Sequence, residues 1–111
     1  MSAKPLPPHW FHILLALAGS DRHGLGIQQD VLDRTGGQVR LWPGMLYRNL
    51  HRLREAGLIE ETAGPPAPEA GSPRYYRLTA AGRRLCRDEA ARLADLVAVA
   101  RERRVFGKGR P

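Results

Sequence analysis

The segment from Pro43 to Gly57, PGMLYRNLHRLREAG, constrains the fold of this chain more than any other stretch. Pro43 suits the first turn of a helix, where its missing N–H would be unpaired in any case, and Gly57 suits the stop. At 100° per residue, Leu46, Leu50 and Leu53 cluster within about 60° of arc and form a buried spine. Gly44, Arg48, His51, Arg52 and Glu55 fall on the opposite side, with Tyr47 at the boundary. Leu58, just past the stop, can fold back onto the last turn.

Periodicity places further elements on either side. MSAKPLPP has three prolines in eight residues and predicts a flexible arm over residues 1–8. Trp10, Ile13, Leu14 and Leu17 have the spacing of one helical stripe, ended by Gly19. Residues 24–35 predict a weaker helix with Ile27, Val31 and Leu32 on one face and Gly36-Gly37 at its end. QVRL at 38–41 reads as a brief extended piece. LIEET and RYYRL read as two strands joined by the loop GPPAPEAGSP, and Thr79 is an N-cap for a last long helix running to about Arg104. VFGKGRP, residues 105–111, reads as a disordered basic tail.

The order is helix, helix, short strand, helix, hairpin, helix. This predicts a mainly α fold with a small β-hairpin: a winged helix-turn-helix over residues 9–79, then a long helix over 80–104. In that arrangement the third helix enters the DNA major groove and the hairpin reaches a neighbouring backbone or minor groove. At 111 residues the chain suits one domain with one modest core.

Charge points to the partner. The formal net charge is +7, which favours polyanions. Residues 1–39 balance three Lys or Arg against three Asp, whereas Arg40, Arg48, Arg52 and Arg54 run with no acid between them. Arg74, Arg77, Arg83, Arg84 and Arg87 form a second basic run, separated from the first by Glu55, Glu60, Glu61 and Glu69. No apolar run is long enough to span a bilayer and no signal-peptide pattern opens the sequence, so no membrane partner and a cytoplasmic location are expected. The single cysteine, Cys86, cannot form an internal disulfide.

Three segments carry a more specific likeness: HGLGI at 23–27, PGMLYRNLHRLREAGLI at 43–59 and RYYRLTAAG at 74–82. Together they resemble the PadR family of transcriptional regulators over roughly residues 10–104. PGxLYxxLxRLxxxGLI is the more telling element, because generic winged helices share its hydrophobic spacing but not its start; YYxLTxxG is a second, independent match. The resemblance implies a homodimeric repressor that binds a pseudo-palindromic operator and releases it when a small molecule or another signal shifts the dimer. It also implies the short subgroup, in which a single C-terminal helix supplies most of the dimer interface. Two positions depart from the pattern. Trp42 stands where a small hydroxyl residue is common, and Met45 where Thr is common, so two hydroxyls are missing from the start of the third helix.

On helical spacing alone, Arg48, His51 and Arg52 could equally be the solvated back of a core helix. The acid such a face would carry arrives only at Glu55, and with the family likeness the expected DNA-contacting set is Trp42, Gly44, Met45, Tyr47, Arg48, His51, Arg52, Arg74 and Arg77. Arg48 can offer a bidentate fork to guanine or phosphate, and Tyr47 a hydroxyl to phosphate. In the second strand, Tyr76 and Leu78 alternate inward and Tyr75 and Arg77 outward. Arg84 is spaced to pair with Asp88. The last helix is longer than a three-helix core can cover, so Leu85, Leu93, Leu96, Val97 and Ala100, with Trp10 and Phe11 of the first helix, form the expected dimer interface.

Enzymatic motifs are lacking: there is no Gly-rich phosphate loop, nucleophile motif or paired-carboxylate pattern. No cofactor or metal is expected. Double-stranded DNA, a second copy of the chain and a small-molecule effector are the partners implied. A winged helix used as a protein-interaction module, or a redox or metal sensor built on Cys86 or on His9 and His12, are the alternative readings.

Overall fold

The computed structural model describes residues 5–63 and 74–107. The expected loop at 64–73, the first four residues of the arm and the last four of the tail lie outside these. In chain order the elements are α1 (Pro8–Gly19), β1 (Arg22–His23), α2 (Gly24–Arg34), α3 (Pro43–Glu55), β2 (Ile59–Thr62), β3 (Tyr75–Leu78) and α4 (Ala80–Glu102). The fold is thus mainly helical with a small antiparallel sheet, as the patterning predicts.

The second and third helices end where the sequence supplies a glycine stop. In α3 the Gly57 amide donates to the Arg54 carbonyl and the Leu58 amide to that of Leu53, with Gly57 at φ +75°. That left-handed conformation is open to glycine at no steric cost, and it turns Leu58 back into the core. The same pair of bonds closes α2 through Gly36 and Gly37. Ile13, Leu14, Leu17, Ile27, Val31, Leu41, Leu46, Leu50 and Leu53 are fully buried, so the predicted spine of α3 meets the stripes of α1 and α2. In β3, Tyr76 is buried and Arg77 exposed, as the alternation requires.

The extra strand is not where the sequence suggests. QVRL forms no strand: Leu41 sinks into the core and the Val39 amide donates to the Thr35 hydroxyl. The strand is Arg22–His23, just before α2, and it pairs with β3 through Arg22 opposite Tyr76 and His23 opposite Tyr75. The sheet order is therefore β1-β3-β2. His23 is already extended there because it caps α2, its Nδ1 accepting from the Gly26 amide at 3.0 Å.

The boundaries of the first and last helices differ from those expected. Pro8 already belongs to α1, Leu6 packs against the core, and its backbone faces the Glu89 carboxylate of α4. At the other end α4 stops at Glu102 instead of Arg104, which takes the left-handed conformation at φ +56°. The tail then turns back, with the Arg101 guanidinium 5.5 Å above the Phe106 ring.

Candidate nucleic-acid interface

Two close approaches explain why the three matched segments occur together. Thr79 caps α4 by accepting from the Gly82 amide at 3.0 Å, and its own hydroxyl donates to the Gly57 carbonyl at 2.7 Å. A Cβ at Gly82 would collide with the Leu58 carbonyl. The LTxxG element thus docks onto the end of α3. At the opposite end of α3, a Cβ at Gly24 would collide with the Tyr47 ring and hydroxyl. The glycine of HGLGI therefore seats the tyrosine of PGMLY, half-exposed over the start of α2. The His23 ring meets Tyr75 edge-on at 5.2 Å and 77°, joining the start of α2 to the wing strand.

With its spine buried, α3 presents Gly44, Tyr47, Arg48, His51 and Arg52 to solvent. A Cβ at Gly44 would meet nothing within 4 Å. Packing does not require glycine there, and the first turn is open to close approach by a partner's backbone. Trp42 occupies the N-cap position with no side-chain cap bond. A Ser or Asp in its place would stabilise the helix by roughly 1 kcal/mol. Met45 is half-buried against the core, and its carbonyl accepts from the Asn49 Nδ2 amide at 2.9 Å.

The charges divide in a way that linear spacing hides. Across the wing, Glu61 of β2 bridges Arg54 at 3.2 Å and Arg74 at 2.7 Å, and Glu60 meets Arg77 at 3.4 Å. Register makes this unavoidable, because Glu60 lies directly opposite Arg77. Arg40, Arg48 and Arg52, by contrast, have no carboxylate within salt-bridge distance among the described residues. His51 faces Glu55 at 3.7 Å, one turn on. Within the helix-and-wing surface the free positive charge is therefore on α3 and the turn before it, while the two wing arginines are already paired; Arg83 and Arg84 at the start of α4 also have no carboxylate within salt-bridge distance among the described residues. The expected Arg84–Asp88 pair does not form; Asp88 lies 3.9 Å from Arg87 instead.

Sequence reasoning overlooked Arg40 and Leu25 as site residues. Arg40 lies 5.4 Å above the Trp42 ring, and Leu25 is exposed at the start of α2 across a groove of about 400 Å³ from Trp42. The signal was available in Arg40-Leu41-Trp42: the alternation that buries Leu41 puts its neighbours on one side.

The expected interface residues also divide. Trp10, Phe11 and Leu85 pack against the domain's own core, and the Trp10 Nε1 donates to the Asn49 Oδ1 at 3.1 Å. Beyond Glu89 the same face of α4 runs out of domain to cover it. Leu96 and Val97 are 55% and 41% exposed, with Val99 beside them. Glu89 itself is buried and bonded by the Arg92 guanidinium at 2.8 and 2.7 Å, which holds its carboxyl below the usual range. Cys86 is buried, and burial pushes its thiol up. Among the described residues no helix is long and apolar enough to cross a membrane, and no three ligand-type side chains are grouped to hold a metal.

Residues 13–88 match the transcriptional regulator PadR-like family. The chain is 35% identical over 85 residues to the transcriptional regulator Rv3488 of Mycobacterium tuberculosis, covering 77% of this chain and 75% of that protein. It is similar in structure to a transcriptional regulator from Clostridium thermocellum, with a TM-score of 0.68, 22% identity and 89% of each chain covered. A further neighbour is Bacillus subtilis PadR in complex with operator DNA, with a TM-score of 0.65 and 20% identity over 77% of this chain and 47% of that one. Taken with the two interlocking glycine contacts that tie its signature segments into one fold, the family match means that this chain belongs to the PadR-like family of transcriptional regulators.

Proposed function

We propose that the chain is a homodimeric, sequence-specific DNA-binding repressor whose α3 reads the major groove of a pseudo-palindromic operator. The observation that carries this reading is the division of charge on α3. Its apolar side is spent on the core, while Arg48 and Arg52 stand exposed with no acid to neutralise them among the described residues. A solvated core helix has no need of that imbalance; a polyanion surface supplies its counterpart. Arg48 is the base reader in this scheme, through a guanidinium fork to a guanine edge, while Tyr47, His51 and Arg52 address phosphates and neighbouring edges. The open start at Gly44 and Trp42 lets the helix approach end-on. Arg74 and Arg77 contribute by exchanging Glu61 and Glu60 for phosphates as the wing meets the backbone. The same-fold neighbour solved with operator DNA supports this docking mode.

The dimer forms through the distal half of α4, where Leu96 and Val97 are exposed between the half-buried Leu93 and Ala100. Two α3 helices placed one turn of DNA apart, about 34 Å, would then read the two half-sites. A small-molecule effector acts by shifting one copy against the other and so changing that spacing. Burial and a raised thiol remove the thiolate that a redox sensor at Cys86 would need.

A gel shift with the region upstream of the protein's own gene tests the reading. A discrete complex that survives excess random duplex and is lost to excess unlabelled specific fragment is expected. Absence of a specific complex at any salt would favour a protein-interaction module.

A further inference from the structure

We propose that Arg40, Trp42 and Leu25 form a clamp on the sugar–phosphate backbone beside the recognition helix, with Arg40 on a phosphate and the Trp42 indole and Leu25 side chain against the adjoining deoxyribose. The proposal rests on the reading of α3 as the helix that docks on DNA.

Three observations meet at this place. Trp42 and Leu25 are 62% and 71% exposed, and both line one groove between the start of α2 and the start of α3, together with Leu32 and Leu41. Isolated exposed apolar residues need no explanation, but two large ones lining the same groove mark a contact surface. Next, the Arg40 guanidinium lies 5.4 Å above the Trp42 ring and has no carboxylate within salt-bridge distance among the described residues. Stacking on an indole holds a planar cation in place while its N–H edge stays free for bonding. Finally, the groove is continuous with the exposed start of α3, since Trp42 and Pro43 form one of its walls.

The occupant must match that chemistry. A fixed guanidinium edge asks for an anion, and a flanking apolar wall asks for a weakly polar body attached to it. A deoxyribose phosphate is both at once. Gln28 at the base of the groove is already tied by its side-chain amide to the Leu41 carbonyl, so the site is braced before any DNA arrives.

The test uses the full-length protein, operator duplex and random duplex, titrated by fluorescence anisotropy from low to moderate salt. Arg40→Ala should lower the slope of log affinity against log salt by about 0.9 per protomer, about 1.8 for a dimer on both half-sites, which amounts to roughly a 12-fold smaller loss of affinity over a fourfold rise in salt. That change should be the same on both duplexes, because a phosphate contact carries no sequence information. Trp42→Ala should weaken binding several-fold in the wild-type background and much less in the Arg40→Ala background, and Leu25→Ser should weaken it at unchanged slope. Thermal unfolding checks that the variants stay folded. An Arg40→Ala slope equal to that of wild type, or additive Arg40 and Trp42 effects, overturns the clamp while leaving Arg48-dependent binding and the recognition-helix reading intact. Wild-type protein that binds neither duplex brings down both. Loss of the dimer in Trp42→Ala, with DNA affinity per dimer unchanged, would assign this surface to a second copy and also overturn the proposal.

Discussion

A methyl group added at Gly82 would meet the Leu58 carbonyl oxygen, whereas one added at Gly44 would meet nothing. The two glycines therefore predict opposite outcomes. Gly82→Ala must push the start of α4 away from the end of α3 and should cost about 1–3 kcal/mol, read as a lower urea midpoint at unchanged slope. Gly44→Ala adds a better helix former in open space, so stability should hold or rise by up to roughly 1 kcal/mol while operator affinity falls, because the added methyl lies on the approach surface. Titration supplies another test at this scale. Burial first, then the nearby charges of Arg34 and His9, lower the His12 pKa from its ordinary 6.5. Below about that value the unfolded chain binds more protons than the folded one, so stability declines as pH falls from neutrality and the loss levels off below the folded pKa. Glu89, held low chiefly by Arg92, adds a second decline once pH falls below its ordinary 4.5. Urea midpoints measured from neutral to acidic pH should show the first decline in wild type and a flatter profile in His12→Gln.

Among the elements, α4 carries the sharpest prediction. Its 23 residues span about 35 Å, and only the half up to Glu89 is covered by the domain. Leu96→Asp places a charge in the middle of the uncovered face, so sedimentation should move from dimer to monomer with little change in the far-UV helix signal. A variant that stays dimeric would remove α4 from the interface. The helices were legible in the sequence because each carries its own start, spine and stop, as Pro43, the three leucines and Gly57 do for α3. The strand β1 was not, because two residues have no periodicity and its existence depends on pairing with Tyr75 and Tyr76, more than 50 positions away. Wing electrostatics failed for the same reason. Glu60 and Glu61 look in sequence like an acidic spacer between two basic runs, yet antiparallel register and the end of α3 set them against Arg77, Arg74 and Arg54. Met45 is half-buried against the core, so any contact it makes with DNA would be through the part of its side chain left exposed.

For the molecule as a whole, the net charge of +7 does not say where the unpaired charge lies. Among the described residues, pairing removes the wing arginines, Arg22, Arg34 and Arg92 from the free pool; it leaves Arg40, Arg48 and Arg52 together at α3 and its approach, and a second group, Arg83, Arg84, Arg101, Arg103 and Arg104, on α4 and just past its end. The central claim is that this face reads sequence and does not merely attract polyanions. The most direct measurement is the ratio of operator to random-duplex affinity for wild type and Arg48→Ala at one fixed salt concentration. A lost bidentate contact of about 1–3 kcal/mol predicts a fall in that ratio of roughly 5- to 150-fold for each half-site, the two multiplying in the dimer, confined to one base position in each half-site. An Arg48→Ala protein that binds operator and random duplex as the wild type does would contradict the account.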